Sequence, residues 1–250
     1  MQYGLYLAAE GAHAQSMRLE TLANNLANVN TMGFKRQLAL FAARPSEAVA
    51  EGIAQPGDGS INDLGGGVSV LATLTDFAPG PLKTTGSPTD LAIDGSSFFV
   101  VSKHGVPMLT RAGAFMFNQD AVLTDPTGDP VLNDNNQPIQ IDPEGGPWQF
   151  TPDGGVVQSG DIQYLAMVRP RSPDDLVRHG ENMFEALEPP VATPLEDRHV
   201  LVGQLEQSGV QPTSEMVELI ETTRAFEANT SMMRNYDQML STLVDRVLKE

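Results

Sequence analysis

Four histidines, His13, His104, His179 and His199, are the side chains best suited to general acid–base or metal chemistry, and each stands alone. None belongs to a metal-ligand pattern within a helix, so all four read as core or surface histidines. The run Asp125-Pro126-Thr127-Gly128-Asp129-Pro130, with Asp134-Asn135-Asn136 behind it, gathers oxygen donors of the kind calcium takes. It lacks the spaced acidic pattern and closing Glu of an EF-hand loop, and Asp and Gly are what tight turns use. Gly65-Gly66-Gly67 precedes a strand, whereas a phosphate-cradling loop must open a helix. Ser87 and Ser97 lie near Asp90 and Asp94, but no histidine stands beside them and no Gly-x-Ser-x-Gly is present. Without cysteine there is neither disulfide nor thiolate metal site. Lys35-Arg36 reads as a charge pair complementing the dipole at the end of a helix. The residues nominate no catalytic, cofactor-binding or metal site.

The elements that would position such groups say more. From Leu5, small or apolar residues recur at Ala8, Ala12, Leu19, Leu22, Leu26 and Val29, with Gln15 breaking the seam. From Met216 the same spacing runs through Leu219, Thr223, Phe226, Thr230, Met233, Leu240, Val244 and Val247, with Asp237 as the odd member. A 3-4 spacing lays one narrow stripe along a helix, the geometry of a coiled-coil seam. So narrow a stripe needs a partner helix. The first helix is predicted over Leu5–Val29, ending at Asn30-Thr31-Met32-Gly33, where Asn and Gly can turn left-handed. Pro212 and Ser214 open the second, with Glu215 in its first turn where the dipole favours negative charge.

Between the helices the chain reads as sheet. Phe34–Phe41 is an extended or mixed segment anchored by Phe34, Leu38 and Phe41, and residues 45–67, rich in Gly, Pro, Ala and Asp, form a linker or mobile loop. Short strands follow at intervals of about ten residues, as in all-β domains. They include Val68–Asp76, Asp90–Ile93, Phe98–Val101, Leu109–Phe117, Ala121–Thr124, Trp148–Thr151, Ile162–Val168, Met183–Ala186 and His199–Leu205. The fold expected is α+β: residues 1–44 and 208–250 build a coiled-coil-like helical stalk, and residues 68–207 an inserted all-β outer domain.

The 250-residue chain carries a formal charge of −17, which argues against nucleic acid or an anionic membrane as partner. Residues 45–214 hold 23 acidic against 7 basic side chains, residues 1–44 hold 2 against 4, and residues 215–250 hold 7 against 4. The middle is a solvated, self-repelling surface, and the near-balanced ends are free to pack. No run approaches the ~18 apolar residues a membrane span needs. The first residues lack the charged region of a cleaved secretory signal, so any export is expected to use another route.

Three of these segments resemble one family. Leu22-Ala23-Asn24-Asn25-Leu26-Ala27-Asn28-Val29-Asn30-Thr31-Met32-Gly33-Phe34-Lys35-Arg36 resembles the N-terminal signature of the bacterial flagellar rod and hook proteins. Leu205-Glu206-Gln207-Ser208-Gly209-Val210, leading into Glu215–Ile220 and Thr223–Asn229, is similar to that family's C-terminal helix signature. Gly80–Gly95, running into Phe98-Phe99-Val100-Val101 and then Leu109–Phe115, resembles its β-domain motif. Met32, Ser97 and Gly209 depart from the family pattern of Pro or Thr, Gly, and Asn. The short 45–67 connection, the Asp76–Leu82 stretch and Asp175–Arg178 are most similar to the proximal-rod (F-type) branch. Distal-rod and hook-type branches share the ends and the central motif.

The resemblance implies a non-enzymatic structural subunit of the basal-body rod, without cofactor, exported unfolded by the flagellar secretion apparatus to a periplasm-spanning shaft used for motility. Its partners would be other rod subunits, homotypic and heterotypic, and the export apparatus, with no nucleic acid and no membrane insertion. Terminal helices of such proteins form a coiled-coil inner layer, and until assembly they are expected to be disordered or weakly helical. On that footing Leu19, Leu22, Leu26 and Val29 would meet Met216, Leu219, Phe226, Met233 and Leu240. Asn24, Asn25 and Asn28 on the flank of the stripe would set register by hydrogen bonds to neighbouring subunits. From other classes, a β-rich binding module on an oligomerisation stalk would show exposed aromatics, and an enzyme would need a cleft with convergent polar groups.

Overall fold

The computed structural model describes residues 2–53, 55 and 65–247, so the Pro56-Gly57-Asp58-Gly59 part of the expected linker lies outside the described residues. Its contacts divide the chain into two units, one from Met1–Ala27, Gln37–Asp76 and Gln211–Glu250, the other from Asn28–Arg36 and Phe77–Val210. The class is α+β, with a helix at each end and a β-rich middle made of several small sheets.

In the first unit, α1 (Gln2–Ala27) and α3 (Pro212–Val247) pack as an antiparallel pair. The direction follows from the partners: Gly4 faces Tyr236, Gly11 faces Asn229, Arg18 pairs with Glu218, and Asn25 bonds Glu215. Strands β1 (Gln37–Ala43) and β2 (Val68–Thr75) form an antiparallel ribbon with a register shift between Leu40 and Phe41. Arg44 and Gly66-Gly67 extend its ladder, and α1 packs on both strands. Phe41, expected as an apolar anchor, is exposed, as is Leu40, and the register shift of the ribbon falls between the two. A single helical turn, α2 (Glu47–Ala50), stands within the stretch read as linker.

The second unit holds fifteen short strands. They are β3 (Leu82–Thr84), β4 (Leu91–Ile93), β5 (Phe98–Lys103), β6 (Val106–Thr110), β7 (Met116–Phe117), β8 (Leu123–Thr124), β9 (Trp148–Phe150) and β10 (Gly155–Gln158), followed by β11 (Asp161–Tyr164), β12 (Met167–Arg169), β13 (Leu176–Arg178), β14 (Met183–Ala186), β15 (Val191–Ala192), β16 (Val200–Val202) and β17 (Gln204–Glu206). The largest sheet is six-stranded, in the order β13-β14-β6-β5-β12-β15, and all its pairings are antiparallel.

Its construction follows from β5. Side chains alternate across a strand, so Phe99 and Val101 enter one apolar cluster with Leu91, Leu123, Val131 and Leu165. Phe98 and Val100 enter a second cluster with Leu109, Leu132 and Phe184. A strand buried on both faces reads as a continuous apolar run, which is what Phe98-Phe99-Val100-Val101 is. Trp148 packs against the first cluster, edge-on to Phe117 and Phe150.

Three expected strands are broken. Leu109–Phe117 divides because Leu91 donates to the Gly113 carbonyl, and a Cβ on Gly113 would lie 1.7 Å from the Leu91 oxygen. Ile162–Val168 divides where Leu165 and Ala166 turn to bond Gly154 and Leu132, and His199–Leu205 divides at Gly203.

Candidate functional site

Local structure accounts for Asp125 and Ser97, and all four histidines lie exposed at the surface. Asp125 accepts the backbone N–H groups of Thr127 (2.9 Å) and Asp129 (2.8 Å), the geometry of a turn. The Ser97 hydroxyl is buried at 2.8 Å from that of Thr193. Among the described residues no group of three or more His, Asp or Glu side chains gathers as a metal site.

The terminal helices carry more structure than their apolar stripes announce. On α3 the residues shielded beside Leu219, Phe226 and Met233 include Glu215, Thr222, Asn229 and Tyr236, one position round from the expected seam. Opposite them α1 sets Gly4, Ala8, Gly11, Gln15, Arg18, Leu22 and Asn25, a 4-3 repeat that is small or polar except at Leu22. Glycine there permits close approach: a Cβ on Gly11 would sit 3.1 Å from the Asn229 amide. Asn25 is fully buried, donates to the Gln37 carbonyl (2.8 Å) and to Glu215 (3.2 Å), and accepts the Gln37 N–H (2.9 Å). Gln15 Oε1 is buried without a partner.

The twelve nominated residues therefore fall into three groups. Leu22 and Asn25 are buried within the chain, whereas Leu19, Leu26, Asn28, Val29, Leu219, Phe226 and Met233 are half-buried. Asn24, Met216 and Leu240 are exposed, and Asn28 Oδ1 accepts the Thr31 hydroxyl at 3.1 Å. Met216 is 50% exposed, with Val217 and Ile220 beside it, and Met239, Leu240, Leu243 and Val244 are uncovered near the far end of α3.

In the β-rich unit the signature residue Lys35 is not a solvated helix-end charge. It is 1% exposed, its Nζ lies 2.6 Å from Glu206 Oε1, and it donates to the Ala78 carbonyl at 2.9 Å. Glu206 also accepts the Gly80 N–H at 2.8 Å and has Arg111 at 3.5 Å. The Glu206 carbonyl accepts the N–H of Gly33, whose φ is +67°. A Cβ on Gly33 would meet the Arg111–Ala112 backbone at 2.6 Å, so both conformation and space require glycine. Burial lowers the proton affinity of Arg111, with Glu206 opposing, and burial also lowers that of Arg178, whose guanidinium lies 4.5 Å from the Phe34 ring centroid and donates to the Lys35 carbonyl. Pairs so distant in sequence carry no local signal, which is why Lys35–Glu206 escapes a reading by spacing.

The segments that build these features match known families. Residues 5–35 match the flagella basal body rod protein family, residues 92–158 the D1 domain of the flagellar hook protein FlgE/F/G, and residues 201–246 the C-terminal region of the flagellar basal body rod FlgEFG proteins. The flagellar basal-body rod protein FlgF of Caulobacter vibrioides is 32% identical over 259 residues, spanning 100% of this chain and 99% of the relative. FlgF of Mesorhizobium japonicum is 32% identical over 97% of this chain and 98% of its own length. The rod protein FlgG of Buchnera aphidicola subsp. Baizongia pistaciae is 31% identical over 96% of this chain and 97% of its own.

The chain belongs to the flagellar basal-body rod protein family, on its F-type branch. It is a structural subunit of the flagellar basal body, in a family that is not enzymatic. No helix among the described residues is long and apolar enough to cross a membrane.

Proposed function

We propose that the subunit polymerises through its terminal helices with further copies and with other rod proteins, after delivery by the flagellar export apparatus, into the part of the shaft that crosses the periplasm. The observation carrying this reading is the uncovered apolar surface of α3. Met216, Val217 and Ile220 near its start and Met239, Leu240, Leu243 and Val244 near its end face solvent on a helix already packed along another side. Burying one such side chain is worth roughly 1.5–3 kcal/mol, so neighbouring subunits supply what a single chain leaves exposed. In this reading Leu22 and Asn25 hold the helix pair within a subunit. Met216 and Leu240 reach neighbours, and the half-buried Leu19, Leu26, Val29, Leu219, Phe226 and Met233 are completed by them. Asn24 and Asn28 set register. Helix ends used in this way make heterologous contacts, which generate open arrays.

The absence of cysteine provides a silent background for cross-linking. Met216→Cys and Leu240→Cys, introduced one at a time and together, are expected to give covalent oligomers in isolated basal bodies under oxidation. Monomer alone in assembled rods would place the interface elsewhere.

A further inference from the structure

Residues 45–214 have only 7 basic side chains against 23 acidic ones. Three of the seven, Arg111, Arg169 and Arg171, line two cavities of the β-rich unit that share Arg169 and Pro170. The first, about 250 Å³, has Phe77, Phe98 and Pro173 as apolar walls, with Arg111 among them. The second, about 260 Å³, adds Arg171, Val191 and Pro194.

Arg111 is 3% exposed and its Nε is buried without an acceptor, so the wall of the first cavity holds a desolvated cation with donor capacity to spare. Arg169 and Arg171 are exposed, and among the described residues neither has an ion pair or side-chain hydrogen bond. In a chain of net charge −17, Arg169 and Arg171, left without a carboxylate partner beside the apolar hollows, are out of place as mere solubilising charge. Strand β15 forms the edge of the six-stranded sheet here, and Pro189-Pro190 and Pro194 flank it. Proline on an edge blocks strand addition, so a ligand must be read by side chains.

We infer that the two hollows dock an acidic segment of a partner protein. One apolar side chain sits against Phe77 and Phe98, and its flanking carboxylates pair with Arg169 and Arg171, whose planar forks match carboxylate geometry. Charge complementarity selects this occupant: long polyanions such as nucleic acid meet the repulsion of the surrounding acidic surface, whereas a segment with two or three carboxylates is neutralised locally. The inference concerns the β-rich unit alone and stands or falls apart from assembly through the helices.

The test uses the full-length protein and a fluorescein-labelled peptide alternating Glu and Leu, with a Gln-for-Glu counterpart, followed by anisotropy. The acidic peptide is expected to bind about tenfold more tightly than the neutral one, and to weaken about tenfold in the Arg169→Glu, Arg171→Glu double variant. Raising the salt should weaken it further. Val191→Asp, at an exposed position lining the second cavity, should repel the peptide in a chain whose Trp148 unfolding transition is unchanged. Equal affinity for the two peptides, no loss in either variant, no saturable binding, or displacement by inorganic phosphate at matched ionic strength would each overturn the proposal.

Discussion

Among individual residues the largest consequences attach to Lys35 and Glu206, each all but excluded from solvent. Removing one member of a buried pair strands the other charge, at a cost of about 3–5 kcal/mol. Glu206→Ala should therefore lower the Trp148-reported unfolding midpoint far more than any exposed carboxylate change, as a urea titration would record. Gly33→Ala combines a left-handed backbone with a backbone clash and is expected to cost about 1–3 kcal/mol in the same assay. The surface pair Lys103–Glu181 behaves differently. Its hydrogen bond and charge pairing hold the Glu181 carboxyl below, and the Lys103 ammonium above, their ordinary values. The stabilisation from Glu181 is present above its unfolded pKa and lost as pH falls through the depressed folded value. That from Lys103 is present below its unfolded pKa and lost as pH rises through the raised one. An NMR titration should find Glu181 returning toward the ordinary glutamate value in Lys103→Met.

At the scale of elements, the helix pair was half legible in the sequence. The 3-4 spacing of Leu19, Leu22, Leu26 and of Leu219, Thr223, Phe226, Thr230, Met233 marks both helices, because such periodicity is a local signal. The polar half of the contact, Asn25, Glu215, Thr222 and Asn229, has no such signature: an amide on a helix looks alike whether it faces water or another helix. Asn25→Ala leaves the Gln37 N–H and carbonyl and the Glu215 carboxylate short of a partner. It should destabilise the helical unit by about 1–3 kcal/mol, measured by the thermal loss of circular dichroism at helical wavelengths. The sheet was legible where burial is two-sided, as in β5, and obscure where strands are short and wet. Leu82-Lys83-Thr84 is wholly exposed, and its pairing with Gln204-Leu205-Glu206 spans more than a hundred residues of sequence.

For the whole molecule, the two apolar clusters of the β-rich unit belong to it alone, while the helices bury a seam of small and polar groups. Hydrogen exchange on the purified subunit should protect Phe99, Val101 and Leu165 amides well beyond those of α1 and α3. A chain lacking residues 216–250 is expected to keep its Trp148 transition yet fail to enter basal bodies. Loss of that transition would show that the β-rich unit depends on α3.

The end of α3 has a consequence of its own. Tyr236 faces Gly4, close to where α1 begins, and α3 continues to Val247. At 1.5 Å per residue that is roughly three further turns, and Met239, Leu240, Leu243 and Val244 on them are exposed. If neighbouring subunits dock there as proposed, a free subunit would let those turns fray at little cost and a docked one would hold them straight, so their order would rise and fall with the concentration of neighbours. On the proposed polymerisation, the end of α3 would work as a gauge of crowding at a growing tip, firm only where another molecule has already arrived.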